Sequence, residues 1–227
     1  KFVFTDTNML KALRNTAGRE FLCTVREDQV TIETLGPYVS NTFFWMPKLR
    51  TIAGLRYDAY RFKVESDNPA NSGSASDAIA SPKLTLALGP WQQTEYFLNW
   101  GRGFHSNDAR GTTITVDPAT GTPAERVSPL VRTQGYELGV RSQAIRSVTT
   151  SLSLWQLKQD SELLFVGDAG TTEPSRPSRR RGVEWLPEYV SPKGLAVDVS
   201  FAATQARFTD SDPAGEHIPG APDQVAS

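Results

Sequence analysis

The chain has 227 residues, 38% of them hydrophobic and 22% charged, with a net charge of -1. Such a composition supports an ordered fold, and lysines and arginines scattered along a near-neutral chain give no basic field to attract nucleic acid. Mean hydropathy is -0.38, and no stretch approaches the roughly 20 apolar residues of a membrane-spanning helix; strands that alternate lipid-facing and water-facing residues would leave the same low average.

Residues 1–34 are read as an extracellular loop region leading into the first strand, and residues 35–227 as one incomplete β-barrel domain. Lys1 is not followed by an apolar signal core, so this stretch carries no secretion signal: the signal was removed, or the segment is internal. Within Asn8 to Arg14, the residues Met9, Leu10 and Leu13 fit a short helical turn. The lone Cys23 allows neither an internal disulfide nor a thiolate zinc site.

From Leu35 onward Gly and Pro punctuate segments rich in Val, Leu, Thr and aromatics, which reads as all-β. Two kinds of link alternate along the chain. Short ones fall at Met46 to Lys48, Gly89 to Gln92, Ala144 to Ser147 and Ser191 to Gly194. Long polar ones fall at Asp67 to Asp77, His105 to Leu130, Gly167 to Ser178 and Thr209 to Pro222. A meander with turns at one end and loops at the other is the pattern of an outer-membrane barrel. The signals give about eight strands and the start of a ninth. The predicted fold is an antiparallel up-and-down meander forming part of a transmembrane β-barrel.

Between the links a two-residue period is legible. Pro82, Leu84, Leu86 and Leu88 alternate with Ser81, Lys83 and Thr85; Tyr96, Leu98 and Trp100 alternate with Glu95 and Asn99; Tyr136, Leu138 and Val140 alternate with Glu137 and Arg141. Leu195, Val197, Val199, Phe201 and Ala203 oppose Asp198, Ser200 and Thr204. The apolar set is expected to face lipid. Lys83, Glu95, Asn99, Glu137, Arg141 and Glu184 are expected to face the lumen, chiefly as wall salt bridges, because unpartnered charges in a dry core cost several kcal/mol. Trp45, Trp91 and Tyr189 flank short turns, where an aromatic girdle at the membrane interface would lie. The phase changes between Leu55 and Tyr57 at odd positions and Tyr60, Phe62 and Val64 at even ones, which implies a bulge near Asp58 or departure from the bilayer.

The run from Ser81-Pro82-Lys83-Leu84 through Tyr96-Phe97-Leu98-Asn99-Trp100-Gly101-Arg102-Gly103-Phe104 resembles the TonB-dependent receptor family, in which two such strands meet a long extracellular loop. Leu49 to Asp58 (LRTIAGLRYD), Gly135 to Gly139 and Arg181-Gly182-Val183-Glu184-Trp185 are similar to further strands of that family, in its order. The resemblance covers most of 35–208. It implies a barrel of about 22 strands, so this chain resembles part of one, without the plug. It also implies active uptake of a scarce ligand, such as a ferric siderophore or another metal complex, with the plug of the same parent protein, TonB and outer-membrane lipid as partners. Neither a cofactor nor a bound metal is expected.

His105, Asn107, Asp108 and Arg110 stand at the mouth of the longest loop, as ligand contacts or as internal braces of the loop. His105 and His217 share no metal-binding spacing. Arg179, Arg180 and Arg181 begin a strand near the outer rim; an ordinary solvated charge run is the expectation, and pairing with lipopolysaccharide phosphates the alternative. Motifs for dinucleotide binding, serine hydrolysis and zinc proteolysis are missing, so no enzyme is expected, although the separation of the many carboxylates is left open. The competing readings are a secreted β-sandwich binding carbohydrate, with Trp45, Trp91, Trp100, Trp155 and Trp185 as core or platforms, and a passive porin or an enzyme embedded in a smaller barrel.

Overall fold

The computed structural model describes residues 2–5, 26–161, 164–166, 171–173, 176–213, 215–218, 221 and 224–226. The helical turn expected near Asn8 and the position of Cys23 lie outside these residues. The strands are β1 (Phe2–Thr5), β2 (Asp28–Leu35), β3 (Tyr38–Met46), β4 (Leu49–Ser66), β5 (Gly73–Trp91), β6 (Thr94–Ser106), β7 (Leu130–Ser142), β8 (Val148–Gln159), β9 (Leu164–Val166), β10 (Thr171–Glu173), β11 (Ser178–Val190), β12 (Ala196–Asp198), β13 (Phe201–Phe208) and β14 (Gln224–Ala226). One short helix, α1 (Ala109–Thr113), sits in the β6–β7 loop.

Twelve strands form a single antiparallel sheet ordered as a meander, and β9 with β10 makes a separate hairpin. Both β2 and β3 pair with β4 in one continuous register, so residues 28–46 act as one long strand interrupted at Gly36-Pro37. β12 and β13 share β11 in the same way, broken at Val199 and Ser200. Proline explains the first break, because it has no N–H to give the ladder; Tyr57 N–H donates instead to the Pro37 carbonyl at 2.9 Å.

The short turns lie at one end of the sheet. At the β5–β6 turn Gln92 and Gln93 have φ of 48° and 60°, the left-handed pair that a two-residue hairpin needs to match strand twist. Gly89 and Pro90 lie in a register shift just ahead of it, so the turn is centred on Gln92-Gln93, two residues beyond the centre of the expected Gly89 to Gln92 link. At the other end the β4–β5 link is only residues 67–72. The expected loop to Asp77 is corrected: residues 73–77 continue the ladder, pairing Gly73 with Val64 and Asp77 with Tyr60.

Register settles the phase change in β4. Pairing with β5 runs without a shift from Leu49–Leu88 to Val64–Gly73, so there is no bulge at Asp58. Arg50, Ile52, Gly54, Arg56, Asp58, Tyr60, Phe62 and Val64 all share one face. Towards the loop end that face turns apolar because something covers it. Phe62 and Val64 are 0% and 1% exposed, packed against Ala109 of α1 with Val30, Ile32 and Tyr60. A second small cluster, Ala206, Phe208 and Ile218, lies under the loop after β13.

Elsewhere, among the described residues, no second layer covers the sheet. Leu86, Leu98, Leu138, Leu154, Val183 and Ala203 form one unbroken cross-strand row, flanked by Leu88, Tyr96, Val140, Leu152, Trp185 and Phe201. Leu98, Leu138 and Leu154 are more than half exposed. The sandwich alternative fails here: its apolar rows would be pressed against a second sheet. In water each half-exposed leucine forgoes roughly 1 kcal/mol of burial at about 25 cal/mol per Å2, and a patch this wide marks contact with another apolar phase.

Candidate ligand face and loop cap

Strand alternation gathers the charged candidates onto the face opposite the leucines. Arg50 donates to both carboxylate oxygens of Glu95, at 2.8 and 3.2 Å, and Glu95 lies directly across from Arg141. Asn99 is opposite Glu137. Glu184 stands between Ser153 and Ala202, on the far side of Trp155. Lys83 crosses Gly54, where a Cβ would lie 2.6 Å from the Lys83 Cε. Six expected wall residues therefore share one surface, although only Glu95 and Arg141, and Asn99 and Glu137, are immediate neighbours. Arg50, the bidentate partner of Glu95, was invisible to sequence reasoning because 45 residues separate the two. Phe44 and Leu186 fall on the same face as exposed apolar exceptions.

Close packing on this face depends on one glycine above all. At Gly182 a Cβ would meet the Ala203 carbonyl at 2.6 Å and the Trp155 ring at 2.9 Å. The indole Cζ2 and Cε2 atoms occupy the space where a side chain at Gly182 would stand.

At the loop end the 107–129 segment folds back over the sheet as a cap. Asn71, fully buried in the 3-10 turn Pro69–Asn71, is its clamp. The Asn71 Nδ2 donates to the Val116 carbonyl at 2.9 Å, and its Oδ1 accepts from the Thr115 and Val116 amides at 2.9 and 3.0 Å. Its own carbonyl accepts from the Thr113 hydroxyl at 2.9 Å. Ile114 and Val127 are buried beneath this lacing.

Asp108 caps α1 and accepts from the Arg110 amide at 2.9 Å, while the Arg110 guanidinium returns to the carboxylate at 3.0 and 2.7 Å. Burial pushes the Asp108 carboxyl up, but the Arg110 hydrogen bonds and charge outweigh it and hold the group below the usual carboxylate value. Asn107 is buried, with Nδ2 donating to the Ser128 carbonyl and its amide to that of Pro129. His105 lies on the charged face at the end of β6, opposite Val131. The four loop-mouth candidates thus sit together at the root of the cap. Asn71, absent from the sequence candidates, does most to hold it; a lone Asn in a polar link carries no signal until its partner is known.

Trp45, Trp91 and Tyr189 are exposed at the turn end, on the leucine side. The Trp45 Nε1 donates to Thr51 Oγ1 at 2.9 Å, and the Trp91 ring lies 6.3 Å from that of Tyr96. Among the described residues no group of three His, Cys, Asp or Glu could hold a metal ion, and no helix is long and apolar enough to cross a membrane.

A meander with loops sorted to one end, an exposed apolar face and a charged opposite face is the wall of a β-barrel. The chain belongs to the family described as TonB dependent receptor-like, beta-barrel, whose profile matches residues 4–227. No curated protein matches it. Among solved structures it is similar to the ferric yersiniabactin uptake receptor FyuA from Yersinia pestis (18% identity, TM-score 0.68, covering 88% of this chain and 31% of that one). It is also similar to the alcaligin outer membrane receptor FauA from Bordetella pertussis (15%, 0.64, 88% and 34%). The copper transporter OprC matches at 16% identity and TM-score 0.60, over 82% of this chain and 29% of that one. The chain therefore spans about a third of the structures it matches, and its sheet is an open section of their barrel.

Proposed function

We propose that this chain forms part of the wall and outer mouth of an energy-coupled outer-membrane receptor that takes up a scarce ligand, a ferric siderophore or another metal complex. The observation that carries the reading is the division of one sheet into an apolar belt and a charged face. In a bilayer the belt meets lipid, and the Arg50, Glu95 and Arg141 surface meets the water and plug inside the barrel. Residues 1–34 then lead in from the loop side, with β1 and β2 already paired into the wall, and 35–227 form the rest of it. Trp45, Trp91 and Tyr189 anchor the turn end at the membrane interface.

The role assigned to Lys83, Glu95, Asn99, Glu137, Arg141 and Glu184 is to line the passage and contact the plug of the same parent protein; TonB supplies the force that moves that plug. His105, Asn107, Asp108 and Arg110 hold the cap at the ligand's approach. None of these residues is assigned bond-making chemistry. The proteins named above lend support through their own descriptions, which name ferric yersiniabactin, alcaligin and copper.

The test is transport. A strain lacking the full-length receptor should lose uptake of at least one metal complex under metal limitation, and so should a strain with the receptor intact but TonB removed. Flux that rises linearly with concentration and ignores TonB would mean a passive pore instead.

A further inference from the structure

Ladder pairing between β5 and β6 runs from Leu88–Tyr96 up to Lys83–Gly101 and ends there. Above that row β5 stays paired with β4 as far as Gly73, and β6 with β7 as far as Ser106. The sheet thus parts along a seam in its loop half. The Tyr57 amide donates away from β5, to Pro37, and the Asn107 amide donates away from it, to Pro129; alternation then turns the even-numbered backbone groups of β5 and β6 towards each other. Pro82 would face Arg102 as the next hydrogen-bonded pair, and proline has no N–H to give.

Ser74, Ser76, Ala78 and Ala80 therefore aim their N–H and C=O groups into the seam with no ladder partner there among the described residues. One donor is answered locally: Asp77 Oδ1 accepts from the Ala78 amide at 2.8 Å. The Phe104 ring, which alternation would leave outside with Trp100, crosses the seam and meets Tyr60 edge-on at 5.7 Å. A side chain lies where a ladder would run.

The four edge residues are small and exposed, so another backbone can approach closely. Exposed cations border the same outer surface: Arg61 opposite Ser76, then Arg102 and Arg132 on the other bank. Neither Arg61 nor Arg102 enters an ion pair among the described residues.

We propose that this edge is a docking site for an extended acidic segment of another protein, which adds to β5 as a strand along Ser74 to Ala80. Its carboxylates would stand beside Arg102 and, across the small Ser76, beside Arg61. Two observations select the occupant. Donors and acceptors recurring at every second residue are matched by another backbone rather than by a small molecule or a lipid headgroup, and the charge around them is positive. Of the reading above, the proposal uses only that this rim is open to the outside.

The test uses the full-length receptor in detergent micelles, with a short synthetic peptide of alternating threonine and glutamate as the probe. Hydrogen exchange is read residue by residue from Gly73 to Lys83. Without peptide, the Ser74, Ser76 and Ala80 amides should exchange fast, while those of Asp77, Ile79 and Ser81, which pair with β4, stay protected. The acidic peptide should slow the fast set by about tenfold. Its lysine counterpart, and a version N-methylated on alternate amides, should not. Ala78→Pro removes one donor on the seam side only, and should abolish the effect with the β4-paired amides unchanged. Arg61→Gln/Arg102→Gln should weaken the peptide about tenfold and leave peptide-free exchange as in wild type. If Ala78→Pro does not fold, the N-methylated peptide carries that comparison.

Protection of the Ser74, Ser76 and Ala80 amides before any peptide is added overturns the proposal, because the edge is then already filled. So does an acidic peptide that slows none of them, or one no better than its lysine or N-methylated counterpart. Slowing by diphosphoryl lipid A in place of the peptide also overturns it and makes the seam a lipid contact. Loss of the transport reading, through uptake that ignores TonB, would leave this exchange pattern standing, whereas an edge protected from the start sinks the docking site alone.

Discussion

Asn71 shows how one buried side chain controls a loop distant in sequence. Asn71→Ala removes the three bonds to Thr115 and Val116 and leaves half-buried backbone groups short of partners, at a cost of about 1 kcal/mol for each. Trypsin should then cleave at Arg126 faster, while the heat-modified gel band of the folded barrel stays in place; unchanged cleavage would mean the cap is held elsewhere. Asp108 adds a pH dependence of known sign. Its folded-state value lies below the usual carboxylate value, so its contribution is complete above about pH 4 and is lost as pH falls through the depressed folded value. Hydrogen exchange of the α1 amides should be protected evenly from pH 7 to about 4, with protection falling below that, whereas Asp108→Asn should show less protection with little pH dependence in the same range. Both residues were plain in the sequence as types, and Asp108 was placed at the loop mouth. What the sequence lacked was the partner: Asn71 meets Thr115 and Val116 across two links that nothing in the chain connects.

Hairpins are where local chemistry and register can be set against each other. Gln92 and Gln93 occupy positive φ without being Asn or Gly. Gln92→Asn with Gln93→Gly should therefore raise stability by about 1 kcal/mol, read as a higher temperature for loss of the folded gel band; a lower temperature would show that the glutamines make contacts worth more than the strain. Gly182→Ala should do the reverse, since its Cβ would meet the Ala203 carbonyl and the Trp155 ring. A loss of at least about 2 kcal/mol and a shifted Trp155 emission are expected. Strand identity was legible from the alternation alone, in β5 to β7 above all. Two things were not. Ser74, Ala75 and Ser76 have loop composition but pair with Lys63, Phe62 and Arg61, because a covering element makes that end of the sheet worth extending. The apparent change of phase in β4 came from a change of surroundings, an open apolar belt below and the cap above, on a strand whose pairing with β5 never shifts.

Across the whole molecule, the sorting of links to opposite ends and of side chains to opposite faces is met by the one reading proposed above, a sheet standing in a bilayer. The large pattern was readable because a period of two carries it in every strand. The alignment of Arg102, Lys158, Arg179 and Arg207 along one cross-strand row was not, since they come from four separate strands. The two faces can be told apart in the full-length receptor, reconstituted in bilayers with Cys23 replaced by Ser and single cysteines bearing spin labels. Labels at Leu86, Leu98, Leu138 and Leu154 should relax with oxygen dissolved in the lipid and ignore a water-soluble nickel chelate. Labels at Lys83, Glu95, Glu137 and Glu184 should do the opposite. Two sets that respond alike, or a leucine set shielded from both reagents, would contradict the membrane wall.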